Sequence, residues 1–415
     1  MNITLHHPIP GGTVSAPPSK SHAHRLLICA ALSDKPSRIR CDRTNDDIDA
    51  TVRCLTALGA KITRENGIFT VHPIGRIPDH AVLDCGESGS TFRFMLPVTA
   101  ALGADAKFAL HGRLPERPLS PLYEIMQEHG AAMSPQGSNP FCISGKLTGG
   151  DFTFDGGVSS QFTTGLLLAL PVTGEQSRIR LTGKIESRPY IDLTLATIRQ
   201  FGVNAEDSGN EFVIPRSRFT SPDGDVSVEG DWSSAAFLLC LGALSEKGIT
   251  VTDLNPDTAQ GDSAIVRILE TFGADCVRNG TAVTVRKNQL HAIKLDAAEI
   301  PDLIPAISVI AAVSEGTTVI ENCGRLRLKE SDRMETIRAT IDSLGGSCTL
   351  DGDRIIINGR KTLTGGTVSS FGDHRIAMSA AVASVVCKNP VTIEGAECSA
   401  KSYPAFFSEL EKLCK

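Results

Sequence analysis

Leu269-Glu270-Thr271-Phe272-Gly273-Ala274-Asp275-Cys276 ends one element and opens the next. The run predicts the last turn of an amphipathic helix. Gly273 fits the position just past the helix end, where a positive φ suits glycine best. The phrase recurs as Cys54-Leu55-Thr56-Ala57-Leu58-Gly59, Ile125-Met126-Gln127-Glu128-His129-Gly130, Ile198-Arg199-Gln200-Phe201-Gly202 and Ile341-Asp342-Ser343-Leu344-Gly345. The five glycines lie 71, 72, 71 and 72 residues apart, and a fixed period of this kind marks an internal repeat. Most copies continue into β-branched runs around Asn66-Gly67, Ser208-Gly209-Asn210, Asn279-Gly280 and Asp351-Gly352, which are strong hairpin signals. One more period would end near the C-terminus, at the helix-like Phe406-Phe407-Ser408-Glu409-Leu410. That sixth copy has no strands after its helix, whereas Ile3-Thr4-Leu5 has no helix before it. The N-terminal strand is therefore expected to complete the last repeat.

A second feature recurs in phase. Polar loops open helices at Pro18-Ser19-Lys20-Ser21, Gly86-Glu87-Ser88-Gly89-Ser90, Val158-Ser159-Ser160-Gln161, Gly230-Asp231-Trp232-Ser233, Ile300-Pro301-Asp302 and Gly372-Asp373-His374-Arg375. Ser, Asp and Gly suit helix starts. The segments that follow (163–172, 234–244, 376–386) are apolar nearly all round and are expected to be buried. Six such copies predict an α/β protein divided into two domains of three repeats.

Composition bounds the function. A chain of 415 residues, 41% hydrophobic and 21% charged, is globular and long enough for two or three domains. Net charge is −6, with 41 Lys and Arg against 47 Asp and Glu, and aromatics are 5%. Neither a nucleic-acid partner nor a base-stacking surface is expected. The longest apolar runs, at 235–244 and 166–172, are far shorter than the roughly 18 residues of a spanning helix, so no membrane partner is expected. The N-terminus has no basic segment followed by a long apolar run, and a cytoplasmic location is expected. The 12 cysteines include no C-x-x-C; Cys29, Cys240 and Cys387 read as small buried hydrophobes. His6, His7, His22, His24 and His374 form no H-E-x-x-H pair, so no metal is expected. A phosphate-binding glycine loop of nucleotide enzymes is not convincingly present.

The cations carry the functional signal. Lys20, Arg25, Arg93 and Arg375 sit at or just inside helix N-termini. A cation there opposes the helix dipole, and the same local rule is broken at four comparable positions. Arg117, Arg188, Lys401 and the dense segment Arg325-Leu326-Arg327-Leu328-Lys329-Glu330-Ser331-Asp332-Arg333 add more charge at other loops. Arg forks and helix N-termini both bind phosphate and carboxylate, so a small, multiply anionic ligand is expected.

These motifs, with Glu116-Arg117-Pro118, Arg188-Pro189-Tyr190 and Lys401-Ser402-Tyr403-Pro404, closely resemble the 5-enolpyruvylshikimate-3-phosphate synthase (3-phosphoshikimate 1-carboxyvinyltransferase) family, in order from about residue 12 to the C-terminus. The resemblance implies an inside-out α/β barrel: two domains, each of three β-α-β-α-β-β units, with the substrates in an interdomain cleft. It places the domains at 19–228 and at 1–18 plus 229–415. The implied reaction is addition–elimination. It moves the enolpyruvyl group of phosphoenolpyruvate to the 5-hydroxyl of shikimate 3-phosphate, without metal or cofactor, in a monomer. By resemblance, shikimate 3-phosphate is held by Lys20, Ser21, Arg25, Ser159, Ser160, Gln161, Ser187, Asp302 and Lys329. Phosphoenolpyruvate is held by Lys20, Gly89, Arg117, Gln161, Arg333, Arg375 and Lys401. Asp302 is the implied base, Glu330 the implied acid and Lys20 a further catalytic group, with Ser90, Arg93, Tyr190, Asp231 and His374 in support. Two positions depart from the family pattern: Glu87, in a loop where Asn-Ala-Gly-Thr is common, and Arg325, where Asn is common.

Three other readings fit less well. A UDP-N-acetylglucosamine enolpyruvyl transferase would lack Ser-Lys-Ser-x-x-x-Arg and carry a Cys in its mobile loop, whereas Leu114-Pro115-Glu116-Arg117-Pro118-Leu119 has none. An RNA 3′-phosphate cyclase would want a basic surface and a catalytic histidine. A non-catalytic repeat scaffold leaves Lys20, Asp302, Glu330 and Arg375 unexplained.

Overall fold

A computed structural model describes residues 1–5 and 9–414; His6 and His7 lie outside the described residues. The repeat is plainest in the third copy. Strand Asp151–Asp155 leads through helix Ser160–Thr173 to strand Ser177–Thr182, then through helix Arg188–Gln200 to the hairpin Glu206–Asp207 and Glu211–Ile214. The first two strands are parallel, as a helical crossover requires. The last strand of the hairpin lies antiparallel to the second. Among the described residues five four-stranded sheets share this order.

The sixth sheet has three strands. Gly366–Ser369 pairs in parallel with Val391–Glu394, and the N-terminal strand Asn2–Leu5 runs antiparallel to the latter with Ile3 opposite Ile393. The N-terminal strand thus completes the last repeat, as the period predicts. Two further exchanges are not visible in the period. Gly12–Ser15 pairs with Ile249–Thr252, and Asp225–Ser227 pairs with Ser37–Arg40. The first and fourth repeats therefore draw their opening strands from distant segments. These strands are three or four residues long and carry too few side chains to show a pattern.

The chain divides into two compact bodies, one discontinuous (Met1–Pro17 with Glu229–Lys415) and one continuous (Pro18–Val228). Each holds three sheets and has its own hydrophobic core. In the discontinuous body every residue of the helices Trp232–Leu244 and His374–Ala383 is buried, as their all-round apolar sequence requires. In the continuous body Gly165 lets helix Ser160–Thr173 approach helix Gly89–Ala101 closely: a Cβ at Gly165 would stand 2.4 Å from the Arg93 carbonyl oxygen. Cys29 and Cys240 are fully buried, but Cys387 is only half-buried, because the chain leaves the helical run just before it. No helix among the described residues is long and apolar enough to cross a membrane.

The five periodic glycines all have positive φ: +101° at Gly59, +97° at Gly130, +82° at Gly202, +103° at Gly273 and +80° at Gly345. At Gly273 a Cβ would also meet the Gln289 carbonyl oxygen at 2.4 Å, whereas Gly280, in its hairpin turn at φ +57°, has open space around it. Gly280→Ala should therefore cost only the left-handed penalty, about 1–2 kcal/mol. Gly273→Ala should cost at least about 2 kcal/mol more, through strain and a backbone clash. Urea unfolding midpoints of the two variants test this, and equal losses would refute it.

Candidate active site

The polar loops act as read from sequence in five of six repeats. Ser19, Ser88, Ser159, Asp231 and Asp373 each accept a backbone N–H at the start of a buried helix. The fifth loop departs from this expectation. Its helix, Ile304–Val313, starts two residues beyond Asp302, with Leu303 in the cap position and no side-chain cap. The Asp302 carboxylate is thereby left for other side chains.

In the continuous body the implied binding residues fall on neighbouring helix starts. Lys20 is the first residue of helix Lys20–Ala31, and its Nζ lies 3.0 Å from the carboxylate of Asp47. Arg25, one turn further on, is 2% exposed. It donates to Thr194 Oγ1, Thr164 Oγ1 and the carbonyl oxygens of Ser21 and Tyr190, at 2.6–3.2 Å, and its guanidinium lies over the Phe94 ring. Every one of these acceptors is neutral. Burial pushes the guanidinium down to about 10. A buried cation without a carboxylate is costly, which suits a site that receives an anion.

A second strand of contacts joins the other two helix starts. Arg93 donates to Gln161 Oε1 at 2.6 Å and to the Pro118 carbonyl at 2.8 Å, and Gln161 Nε2 donates to Ser90 Oγ at 3.0 Å. Arg117 packs on Gly89, where a Cβ would approach its guanidinium to 2.6 Å. Ser160 opens its helix one residue after the Ser159 cap. Ser187 stands at the start of helix Arg188–Gln200 in the left-handed region, at φ +54°, and its side chain makes no cap bond. A strained backbone at a non-glycine residue is a feature of functional loops. Ser21 and Tyr190 enter through their carbonyls, both held by Arg25.

The discontinuous body gathers the acid and base candidates around Arg333, which is 1% exposed. Its guanidinium donates to Asp302 Oδ1 at 2.7 Å, Glu330 Oε2 at 2.7 Å and both oxygens of Asp373 at 2.8 and 3.3 Å. Three carboxylates hold it well above its ordinary range. Asp302 also faces Lys329 Nζ at 3.5 Å and Arg375 at 3.3 Å. Burial alone would raise its carboxyl, but the charges of Arg375, Lys329 and Arg333 outweigh it and hold Asp302 ionised. Burial pushes the Lys329 ammonium down to about 8, against the pull of Asp302. Glu330 lies between Arg333 and Lys401, whose Nζ is 3.8 Å away. His374 is buried next to Asp373, with Nδ1 3.8 Å from its carboxylate.

Three acidic residues belong to these clusters and were not singled out from sequence. Asp373 belongs to one of the polar loops, but a cap residue and an arginine's counter-ion look alike in sequence. Asp47 follows the Asn45 cap, where an acid merely suits the helix dipole. Asp262, 1% exposed, accepts from the Ser233 hydroxyl. Burial, with Asp302 nearby, pushes its carboxyl up to about 6.

Six copies of one α/β motif, in two bodies that each present buried cations at helix starts, define a protein built to handle small polyanions. Residues 9–410 match the model of EPSP synthase (3-phosphoshikimate 1-carboxyvinyltransferase), and the chain belongs to that family. It is similar to the 3-phosphoshikimate 1-carboxyvinyltransferase of Clostridium kluyveri, 40% identical over 404 residues that cover 97% of this chain and 95% of the relative. The enzyme of the same name from Methanocorpusculum labreanum is 37% identical over 406 residues, covering 97% and 96%. A solved EPSP synthase from Acinetobacter baumannii superposes with a TM-score of 0.82 at 25% identity, covering 99% of this chain and 97% of that one. The enolpyruvyl transferase NikO from Streptomyces tendae shares the fold, with a TM-score of 0.77 at 16% identity, covering 99% and 96%.

Asp373 ties Arg333, Ser331 and the Arg375 backbone together from a fully buried position. Asp373→Ala should destabilise the protein by about 3–5 kcal/mol, because a buried guanidinium loses its two-oxygen partner. A melting temperature equal to that of the parent would rule out this anchoring role.

Proposed function

We propose that this protein transfers the enolpyruvyl group of phosphoenolpyruvate to the 5-hydroxyl of shikimate 3-phosphate and releases inorganic phosphate. The observation that supports this best is the pair of carboxylates, Asp302 and Glu330, bonded to one buried guanidinium. Family membership supplies the substrates, and the side chains supply the means. Lys20, Ser21, Arg25, Ser159, Ser160, Gln161, Ser187, Asp302 and Lys329 are assigned to shikimate 3-phosphate. Lys20, Gly89, Arg117, Gln161, Arg333, Arg375 and Lys401 are assigned to phosphoenolpyruvate. The two substrates carry two phosphates and two carboxylates, and Arg25, bonded only to neutral oxygens, is matched to such a charge. The reading requires no metal or cofactor, and a cytoplasmic monomer.

Asp302 takes the proton of the 5-hydroxyl as its oxygen attacks C2 of phosphoenolpyruvate. Glu330 protonates the methylene carbon, giving a tetrahedral intermediate. Phosphate then leaves C2 with the proton held by Asp302, and the Glu330 carboxylate takes a proton back from the new methyl group, which restores the enol ether and both carboxyl groups. Before substrate binds, cations hold Asp302 well below the usual carboxylate range, where it is a weak base. Anionic substrates that engage Arg375 and Lys329 compete for those cations. Burial then raises the carboxyl toward a working value. Arg333 and Lys401, the cations beside Glu330, are also assigned to phosphoenolpyruvate, so the substrate meets Glu330 there.

Purified protein given both substrates should release phosphate and form the enol ether, and neither substrate alone should do so. Absence of product with both present overturns the reading. Asp302→Asn should lower kcat by about 10²–10⁴-fold, the usual contribution of a positioned base; an unchanged kcat removes Asp302 from that role. The Lys329 ammonium, at about 8, loses its charge as pH rises through that value. Accordingly kcat/KM for shikimate 3-phosphate should fall about tenfold per pH unit above about 8, and Lys329→Arg should remove the fall. An alkaline limb that persists in the arginine variant would exclude Lys329 as its source.

A further inference from the structure

In the continuous body a chain of buried side chains runs beneath the helix starts assigned to substrate. His24 Nδ1 lies 2.7 Å from Thr51 Oγ1, Thr51 Oγ1 lies 2.8 Å from Thr91 Oγ1, and Thr91 donates to Ser88 Oγ at 2.8 Å. None of the four is more than 1% exposed. They join three helices, Lys20–Ala31, Asp46–Ala57 and Gly89–Ala101, each within about two turns of its start. Those starts carry Lys20, its counter-ion Asp47, and Gly89 on its Ser88 cap. Thr91 Oγ1 also lies 3.4 Å from the carbonyl oxygen of Asp47.

The chain has a direction. Thr91 has one hydroxyl proton and gives it to Ser88, so it must accept from Thr51. Thr51 then has none left for the ring and must accept from His24. His24 is therefore the Nδ1–H tautomer, and its Nε2, which has no partner among the described residues, is a bare acceptor. Burial pushes the imidazole down to about 3, so the ring stays neutral beside Arg25. An apolar side chain could fill this space without leaving an orphaned ring nitrogen. What the imidazole adds is the Nδ1–H donor.

We propose that the one-way donor chain from His24 through Thr51 and Thr91 to Ser88 fixes the mutual register of these three helix starts, with Thr51 as the positioning residue at its centre. The inference rests on the proposed function, since Lys20 and Gly89 are the groups it aligns. A binding group held out of place loses part of its contact with the substrate, so a buried brace of this kind bears on substrate affinity. Thr51 touches no substrate under this reading; it acts through Asp47, Lys20 and the Ser88 cap.

Thr51→Val keeps the shape and removes the hydroxyl. Its KM for phosphoenolpyruvate should rise about tenfold, the usual effect of one lost buried hydrogen bond, with kcat within about twofold of the parent. Thr51→Ser, which restores the hydroxyl, should return KM to within about twofold of the parent. A valine variant with a lowered melting temperature and an unchanged KM would make Thr51 merely structural and overturn the proposal, as would a serine variant that folds and fails to rescue. An inactive parent protein would overturn the functional reading instead. Nitrogen-15 NMR of histidine-labelled parent protein gives a test that needs neither variant nor activity. The His24 signal should show Nδ1 protonated and Nε2 bare, and the opposite tautomer would break the donor chain.

Discussion

A helix that is apolar on every side has nowhere to place polar groups except its ends. Among the described residues the helices Ser160–Thr173, Trp232–Leu244 and His374–Ala383 come close to this limit, and the constraint accounts for where the polar groups lie. The flanks of Trp232–Leu244 and His374–Ala383 are taken up by packing. Caps, cations and carboxylates are pushed to the loops before these helices and to their first two turns. Unpaired backbone N–H groups lie there as well, so a burial requirement doubles as an anion-binding arrangement. The repeat then supplies the arrangement several times over without a dedicated pocket motif in any one copy.

The two bodies use this arrangement differently. In the continuous body Lys20 faces Asp47, and Arg25 and Arg93 donate to neutral oxygens. That balance suits holding charge. In the discontinuous body Lys329, Arg333, Arg375 and Lys401 face Asp302, Glu330 and Asp373 across short contacts. Acid and base groups in direct contact with cations can exchange one partner for another, and that balance suits moving protons. Asp302 is free for this because the fifth loop alone leaves its helix without a side-chain cap.

Much of this was legible in the sequence. The glycine period gave the number of repeats, because a left-handed residue after each helix leaves little choice of side chain. It also located the N-terminal strand in the last sheet. The site residues came from resemblance together with misplaced cations. What escaped were the partners. Asp47 and Asp373 obey local helix rules as they serve the site, so nothing in their surroundings sets them apart. The strands Gly12–Ser15 and Asp225–Ser227 escaped for another reason: they satisfy sheets far away in the chain, and a periodic reading assigns each segment to its neighbours. Asp302 looks locally like one more helix start; the family resemblance sets it apart as the implied base, and the geometry adds that its helix has no side-chain cap.

The pairing of Asn2–Leu5 with Val391–Glu394 also sets an order of events during synthesis. The first strand leaves the ribosome almost 400 residues before the strand it will lie against. At ordinary elongation rates that wait lasts on the order of tens of seconds. The continuous body emerges whole within that interval and can close its own core. The discontinuous body keeps an open sheet edge and a detached strand until Val391–Glu394 has emerged. The body that carries Asp302 and Glu330 is thus the last to close, and a chain stopped short of residue 391 lacks the strand that holds its last sheet together.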